Sequence, residues 1–581
     1  MAKSKVNIPL RILFFSLALI VVSAGAVAWW FSHHYETVLK ERLPGMMLRA
    51  TDSVYHISFQ DLNVNVFDHK VTITGLELWA DEKQALALKQ QHRHTPPTLS
   101  TLSISLLEVT GINWHNIISD KSIESAHASV QDLKWTMDCS PNPKDSLYSR
   151  DKKKPAAITS ITCDHVDFIN PDITYHYKGI KEHFDCYMKG GTATLENFAY
   201  DMDEKKDTSV FLYARSGKVR FKDFIFSKPA GRYVINAPLL DFVTTPNTVT
   251  LRSVKITNMR DLDQKTGKEK EFYNLVFPSI ELAGFNWNRL INDGELLIPG
   301  VHAAEPSIDV HYIRANADAN ARTGDYPNQL MLEVGLKTNI EKVNIKNGRF
   351  RYTEVTAKGD EGTIEFSGIH SSFANITNLP AIIAHDNYCA VKLEGKYMNK
   401  SPLAANFKLY LNDKKGHFTM DGYLDSLNGN DVQSQAAVFT IVKVTSFKLN
   451  RMDMHIEGDE TYSKGDFTVL YDDLKISLFK FDSKQRETRH GPFAFVGSAL
   501  LLYPSNPMPG KDVRKVTTSF ARDTTKGFVG TIWQNMFRSV KKSAIRDQGI
   551  VTLTDGPETA KGQQPKKGFF TRLFGKKKGR S

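Results

Sequence analysis

The histidines His33-His34 and His92/His94 are the closest pairs that could share a metal ion or a proton. A metal centre needs further ligands at a spacing that a turn or helix can close, and neither pair has carboxylates placed that way. Gly267-Lys268 is followed by Glu269, where a phosphate-binding loop needs Ser or Thr to meet magnesium. Asp261 and Asp263 open like a calcium loop but lack its later ligands. No GxSxG elbow and no HExxH helix occurs. The 64 carboxylates always furnish acid pairs, so a glycosidase dyad cannot be judged by spacing in the sequence. The sequence therefore predicts no catalytic residue, cofactor or metal site, and a protein that is not an enzyme.

Four cysteines are present, none in a CxxC pair. In an oxidising compartment two of Cys139, Cys163 and Cys186 could form a disulfide; buried free thiols are the equal alternative.

The net charge of +11 resides in the ends of the chain. Residues 1–11 carry Lys3, Lys5 and Arg11, and residues 561–581 carry eight cations, with no acid in either. Residues 12–560 are formally neutral, so the folded body lacks the basic stripe that a duplex would require. Nucleic acid and nucleotide are not expected partners. Between the basic start and the body lies ILFFSLALIVVSAGAVAWWF. Ile12, Leu13, Phe14, Phe15, Leu17, Leu19 and Ile20 form its apolar length, and Trp29, Trp30 and Phe31 stand where an interfacial belt would lie. About twenty helical residues span a bilayer. The expectation is a transmembrane helix over 12–32 following a cytoplasmic tail (1–11), which places the body outside the cytoplasm. A signal peptide cleaved near Ala26-Val27-Ala28 is the alternative, and it exports the body equally.

What must position any site is a long run of period-two alternation. Tyr55, Ile57 and Phe59 share one face, and after Gln60-Asp61 the pattern resumes at Leu62, Val64 and Val66. Val71 and Ile73 share a face, as do Leu76 and Leu78 after Gly75. Such alternation predicts strands with one apolar side and one wet side.

The line GINWHNIISD (111–120) returns as GFNWNRLIND (284–293), and HVDFINPDITYHY returns as KVNIKNGRFRY. The offsets are 173 and 177 residues, so the reading is a tandem duplication. Trp114 and Trp287 pack the same corner twice in this reading, a ligand-stacking role being the alternative; Tyr175 and Tyr352 recur likewise. The expected organisation is a β-segment (33–100), repeat units over 101–277 and 278–450, and a closing β-segment (451–522). Half-covered sheet units of this kind must stack on one another. Hydrophilic stretches at 141–155, 261–271 and 314–329 are expected surface loops.

After residue 523 the period changes to helical. Ile532, Trp533, Met536 and Phe537 belong to an apolar stripe on a basic amphipathic helix (523–548), read first as a cap on the last strands and otherwise as a membrane contact. A linker and basic aromatic tail (549–581) follow, in which Phe569, Phe570, Leu573 and Phe574 mix with Lys576, Lys577 and Lys578. Membrane contact is the expectation there.

The N-terminal anchor followed by YHISFQDLNVNVFDHKVTITGLELWAD resembles the start of AsmA-like envelope proteins of Gram-negative bacteria. IELAGFNWNRLIN with EPSIDVHY, IEKVNIKNGRFRY, SPLAANFKLYLNDKKGHFTMDGYL and GDFTVLYDDLKISLF resemble their repeating body. The resemblance covers about residues 35–90 and 278–545. It implies an inner-membrane anchor, a periplasmic β-groove, and a role in phospholipid traffic or outer-membrane homeostasis. The basic tail has no counterpart in that pattern. The expected fold is thus mainly β: an elongated, curved antiparallel β-sheet groove of tandem repeats, with one N-terminal transmembrane helix and C-terminal amphipathic helices. Its expected partners are membrane phospholipids, the inner membrane and outer-membrane assembly proteins. The expected function is to carry or shield phospholipid, with a non-enzymatic periplasmic scaffold as the alternative.

Overall fold

The computed structural model describes residues 43–45, 47–49, 51–66, 68–91, 98–120, 122–140, 160–178, 183–201, 213–228, 233–258, 271–286, 289, 295–313, 323–334, 337–355, 359, 361–431, 442–478, 480–481, 487–488, 502–524 and 527–546. Of these, 67% are in strands and 14% in helices, so the protein is mainly β. The strands form a large mixed sheet. The chain divides into two compact units, residues 1–255 with 280–297, and 256–279 with 298–581. The expected membrane span 12–32 and the tails 1–11 and 549–581 lie outside the described residues. Among the described residues no helix is long and apolar enough to cross a membrane.

In the first unit, β1 (Tyr55–Ser58) and β2 (Asp61–Asn65) lie end to end against β3 (Lys70–Ala80), which pairs with β4 (Thr98–Thr110). From there each layer consists of two strands end to end. β5 (Ser122–Gln131) and β6 (Lys134–Cys139) both pair with β4. β7 (Ser160–Ile169) and β8 (Asp172–Lys178) follow them. β9 (His183–Lys189) pairs with β8, and β10 (Thr192–Asp201) with β7. β11 (Ala214–Phe221) adds to β10, and β12 (Asp223–Lys228) to β9. β13 (Tyr233–Ala237) adds to β12, β14 (Leu239–Val243) to β11, and β15 (Thr248–Asn258) to β14. Helix α1 (Glu82–Gln90) is capped by Asp81, whose carboxylate accepts from Gln84 N–H, and it buries Ala85 and Leu88.

Next in the chain come β16 (Glu271–Ala283), β17 (Glu295–Ala304) and β18 (Ser307–Ile313), with β16 antiparallel to β18; the division between the units falls within β16 and β17, and β18 belongs to the second. After these, β19 (Lys337–Val355), β20 (Glu361–Thr377), β21 (Tyr388–Tyr397), β22 (Ser401–Tyr410), β23 (Phe418–Asn428), β24 (Val442–Gly458) and β25 (Tyr462–Leu478) form an antiparallel meander. A separate ribbon joins β26 (Lys480–Phe481) to β27 (Glu487–Thr488), and β28 (Lys515–Ala521) closes on β25.

The expected purely antiparallel sheet is corrected: β5 and β7, β6 and β8, and β18 and β19 pair in parallel. Parallel neighbours require a crossover of a dozen residues or more. The hydrophilic stretches at 141–155 and 314–329 fall between β6 and β7 and between β18 and β19, so they supply that length. In β6/β8, Trp135 faces Ile173 and Met137 faces Tyr175; in β18/β19, Ile308 faces Phe350 and Val310 faces Tyr352. These registers differ by the same 173 and 177 residues that separate the sequence motifs.

A left-handed residue marks the break in one strand after another: Gly75 (φ +57°), Asp132 (+51°), Asn170 (+55°), Gly190 (+61°), Glu305 (+52°), Asn347 (+53°) and Gly368 (+54°). Asn and Asp tolerate this conformation better than other side chains. The breaks adjoin across strands, with Asp132 N–H donating to Ile169 O and Asn170 N–H to Gly191 O. Asn170 Nδ2 and Ser105 Oγ both donate to the Asp132 carboxylate at 2.8 Å, and these bonds hold it below the usual carboxylate range. Each break adds one residue, and that residue preserves the sidedness of the sheet. Val71 and Ile73 precede Gly75, and Leu76 and Leu78 follow it, with all four buried. Val130 gives way to Leu133 and Trp135 in the same way.

At its first occurrence the recurring line builds a strand-to-helix corner, and the turn at its second occurrence has the same backbone. Gly111 and Gly284 take φ +69° and +73°, and Ile112 and Phe285 behind them are buried. Asn113 Oδ1 accepts from Asn116 N–H as the N-cap of the helix that follows, and Asn286 Oδ1 accepts from Arg289 N–H at the same three-residue step. A Cβ at Gly111 would stand 2.5 Å from that of Ala126, whereas Gly324 (φ +73°) has open space around it. Gly324→Ala should therefore cost about 1 kcal/mol for its conformation alone. Gly111→Ala should cost about 3 kcal/mol, because overlap adds to that. Comparison of thermal unfolding midpoints checks this, and equal losses would contradict the packing of the corner.

Candidate functional site

Cross-strand register turns the alternation into apolar rungs on one face. In the second unit one rung runs Val343, Phe373, Val391, Phe407, Met420, Ile456. Beside it runs Ile345, Ser371, Leu393, Ala405, Gly422, Met454, Phe467, Val516. The opposite face is charged, with Arg451 on Asp425 at 3.0 Å and His455 on Asp421 at 2.7 Å. The first unit repeats the arrangement. Trp135, Ile173, Met188 and Phe224 form one rung, and Met137, Tyr175, Cys186, Phe226 and Ile235 the next. Behind them lie the pairs His176–Asp185 at 2.6 Å and Lys178–Asp138 at 3.3 Å.

Coverage of this face is uneven. Near α1 the face is sealed, with Leu62, Ile73, Leu107 and Val130 at 0% exposure. Farther on, Ile173, Tyr175, Tyr177, Phe184, Met188, Phe224 and Phe226 are all only half-buried. In the second unit Ile456 and Val469 are 0% exposed under α5 (Phe528–Ala544), while Val343, Ile345, Phe373 and Leu393 on β19–β21 are half-buried. Between α3 (Pro327–Glu333) and β21 stands α4 (Pro380–His385), which buries none of its residues. Leu332, Pro380 and Ile383 there line an open concavity of about 640 Å³ together with Asn378, Asn387 and Asn412. Among the described residues no cluster of three metal-ligating side chains occurs.

Helix α5 lies on the apolar face over β25 and β28 with a row of small polar residues innermost and only part of its apolar stripe against the core. Thr531, Asn535 and Ser539 are 0% exposed and Ser543 1%. Asn535 Nδ2 donates to Ser463 Oγ at 2.7 Å, and Asn535 Oδ1 accepts from Thr518 Oγ1 at 2.8 Å. Thr531 Oγ1 bonds the Tyr326 hydroxyl at 3.1 Å, and Tyr471 OH donates to Ser543 O at 3.2 Å. A Cβ at Gly465 would crowd Phe467 at 2.5 Å and Asn535 Oδ1 at 3.1 Å, so the helix can seat closely there. Ile532, Trp533, Met536 and Val540 pack only partly on the core, and Val529 and Phe537 are exposed. The moment of this helix was legible in the sequence; the choice of its small polar residues as the docking side was not.

Of the other sequence-identified residues, Trp114 begins the short helix α2 (Trp114–Ser119) and packs on the first core, while Trp287 lies outside the described residues. Tyr175 and Tyr352 occupy corresponding positions on β8 and β19. Ile12–Phe31 and Phe569–Lys578 lie outside the described residues. All four cysteines are free. Cys139 and Cys186 are separated by β8, about two strand spacings or ~10 Å, beyond disulfide reach. Cys163 sits on the far side of the break at Asn170, so no disulfide links the three.

Asn535→Leu leaves Ser463 and Thr518 without their partner in a dry contact. It should cost about 2–4 kcal/mol, and it should speed proteolysis within α5 under conditions where the native protein resists. Burial pushes the Cys186 thiol up to about 11, Cys389 to about 12, and the Tyr55 and Tyr397 hydroxyls to about 12. The native state thus holds these protons while the unfolded chain releases them above about pH 9. Stability should fall as pH rises from about 9 toward 12; a thermal midpoint at pH 10.5 equal to that at pH 7.5 would contradict the burial. No family model matches the chain, and no curated protein is significantly similar to it.

Proposed function

We propose that the half-buried apolar rungs hold the acyl chains of membrane phospholipid, so that the protein carries or shields lipid across an aqueous compartment. The supporting observation is the uneven coverage. Rungs of Phe, Tyr, Met, Ile and Val continue from the sealed parts of each unit onto strands that neither helices nor loops among the described residues bury. Such a surface is costly in water at about 25 cal/mol per Å². A contiguous patch of this kind marks a binding site. Shielding a chain of about fourteen methylenes is worth roughly 11 kcal/mol, enough to make transfer through water feasible without a covalent step.

The same reading places residues 12–32 in an inner membrane with the body on its outer side, and treats the recurring corners and parallel registers as a duplicated lipid-binding unit. It rests on the apolar segment, the two motif offsets and the resemblance to AsmA-like envelope proteins. Contribution to outer-membrane lipid homeostasis follows as the biological role.

Phe226→Asp and Leu393→Asp put a charge into the half-buried rungs of each unit, and Thr174→Asp puts one on the opposite face. Phospholipid recovered with the purified protein, counted by mass spectrometry, should fall at least about tenfold for the first two, since a charge among methylenes is strongly disfavoured. It should be unchanged for Thr174→Asp. Native protein that carries no phospholipid, or rung variants that carry as much as the native chain, would sink the proposal and favour a dry scaffold.

A further inference from the structure

We infer that α5 docks the second unit onto an anionic membrane surface through Val529, Trp533 and Phe537. A helix seated on a sheet ordinarily buries its apolar stripe. Here Thr531 and Asn535 bond Tyr326 and Ser463, and Ser543 Oγ accepts from Asn506 Nδ2; the polar row lies innermost, Ile532, Met536 and Val540 are only partly buried, and the exposed arc retains Val529 at 61% and Phe537 at 41% exposure. Trp533 lies half-buried between them on the helix surface. Residues 528–546 carry Arg538, Lys541, Lys542 and Arg546 and no carboxylate, and the last twenty-one residues add eight further cations without an acid. Apolar side chains on a helix that carries cations and no carboxylate match an interfacial helix on anionic lipid. The charge decides the occupant: an apolar protein surface would have no need of it. Cation stems also brace the arc from behind, Arg538 lying 4.4 Å over the Phe520 ring and Lys542 Nζ donating to Thr517 O.

The inference borrows from the lipid-carrying proposal only the nature of the partner, and it is tested separately. Full-length chain in nanodiscs is mixed with sucrose-loaded vesicles of phosphatidylglycerol and phosphatidylcholine, or of phosphatidylcholine alone, and co-sedimentation is measured. Native chain should bind the anionic vesicles at least about tenfold better, and Val529→Asp with Phe537→Asp should remove at least about tenfold of that binding. Equal binding to both vesicles, or an unaffected double variant, would overturn the inference. So would loss of binding only when Lys576, Lys577 and Lys578 are changed to Glu, because the contact would then be the tail. If the double variant fails to fold, Phe537→Cys carrying the environment-sensitive dye NBD replaces it. Dye emission should rise and shift blue on anionic vesicles, with Lys408→Cys on the opposite face as control; no change at 537 overturns the inference. Phospholipid counted in the detergent-purified proteins before they enter nanodiscs distinguishes the two ideas, since α5 variants should keep their bound lipid and rung variants should keep their vesicle binding.

Discussion

The structure depends on keeping one face apolar through every interruption of its strands. Side chains alternate with a period of two, so a slip of one residue exchanges the faces. Each break here is itself a slip of one, and the sequence answers by exchanging odd and even positions for its apolar residues at the same point. Ile345 is followed by Phe350 across Asn347, Ala303 by Ile308 across Glu305, and Phe168 by Ile173 across Asn170. The left-handed residue and the change of phase are one event. A bulge of this sort also bends its strand and increases its twist, so sidedness and local bending share a cause.

Coverage of that face is then graded by what the chain ends provide. Helix α1 and the segment around Leu43 and Met47 seal the start of the first unit, and α5 with Tyr326 seals the last strands of the second. The remaining strands keep large side chains at intermediate exposure. A polar seam beneath α5 is not the most stabilising solution for a buried surface, since a hydrogen-bonded contact gains about 1 kcal/mol per bond while apolar packing gains more. What the seam supplies is orientation: only one rotation of the helix satisfies Ser463, Thr518 and Tyr326 together.

The strands were legible because alternation is a local property, and the phase change at Gly75 and at Gln60-Asp61 could be read directly. The two motif offsets were legible and reappear in the parallel registers, and the corner at Gly111 was legible as a recurring line, although its N-cap role emerged only with the backbone. Strand direction was not legible. Alternation is identical in parallel and antiparallel strands, and the one clue, the length of the hydrophilic stretches before β7 and β19, reads equally well as a surface loop. The orientation of α5 was hidden for a different reason. Sequence patterning assumes that apolar residues go inward, and nothing local indicates that Ser463, Gly465 and Thr518 wait on the sheet to receive Asn535.

The phase-shifting breaks also govern how such a chain can change in length. Insertion of a single residue between a break and its strand end would turn that half-strand inside out, whereas two residues would leave its polarity intact. Enlargement by whole layers, each arriving with its own left-handed step, likewise preserves the apolar face without repair elsewhere. A protein built this way is expected to vary among its descendants by even increments within strands and by complete modules between them.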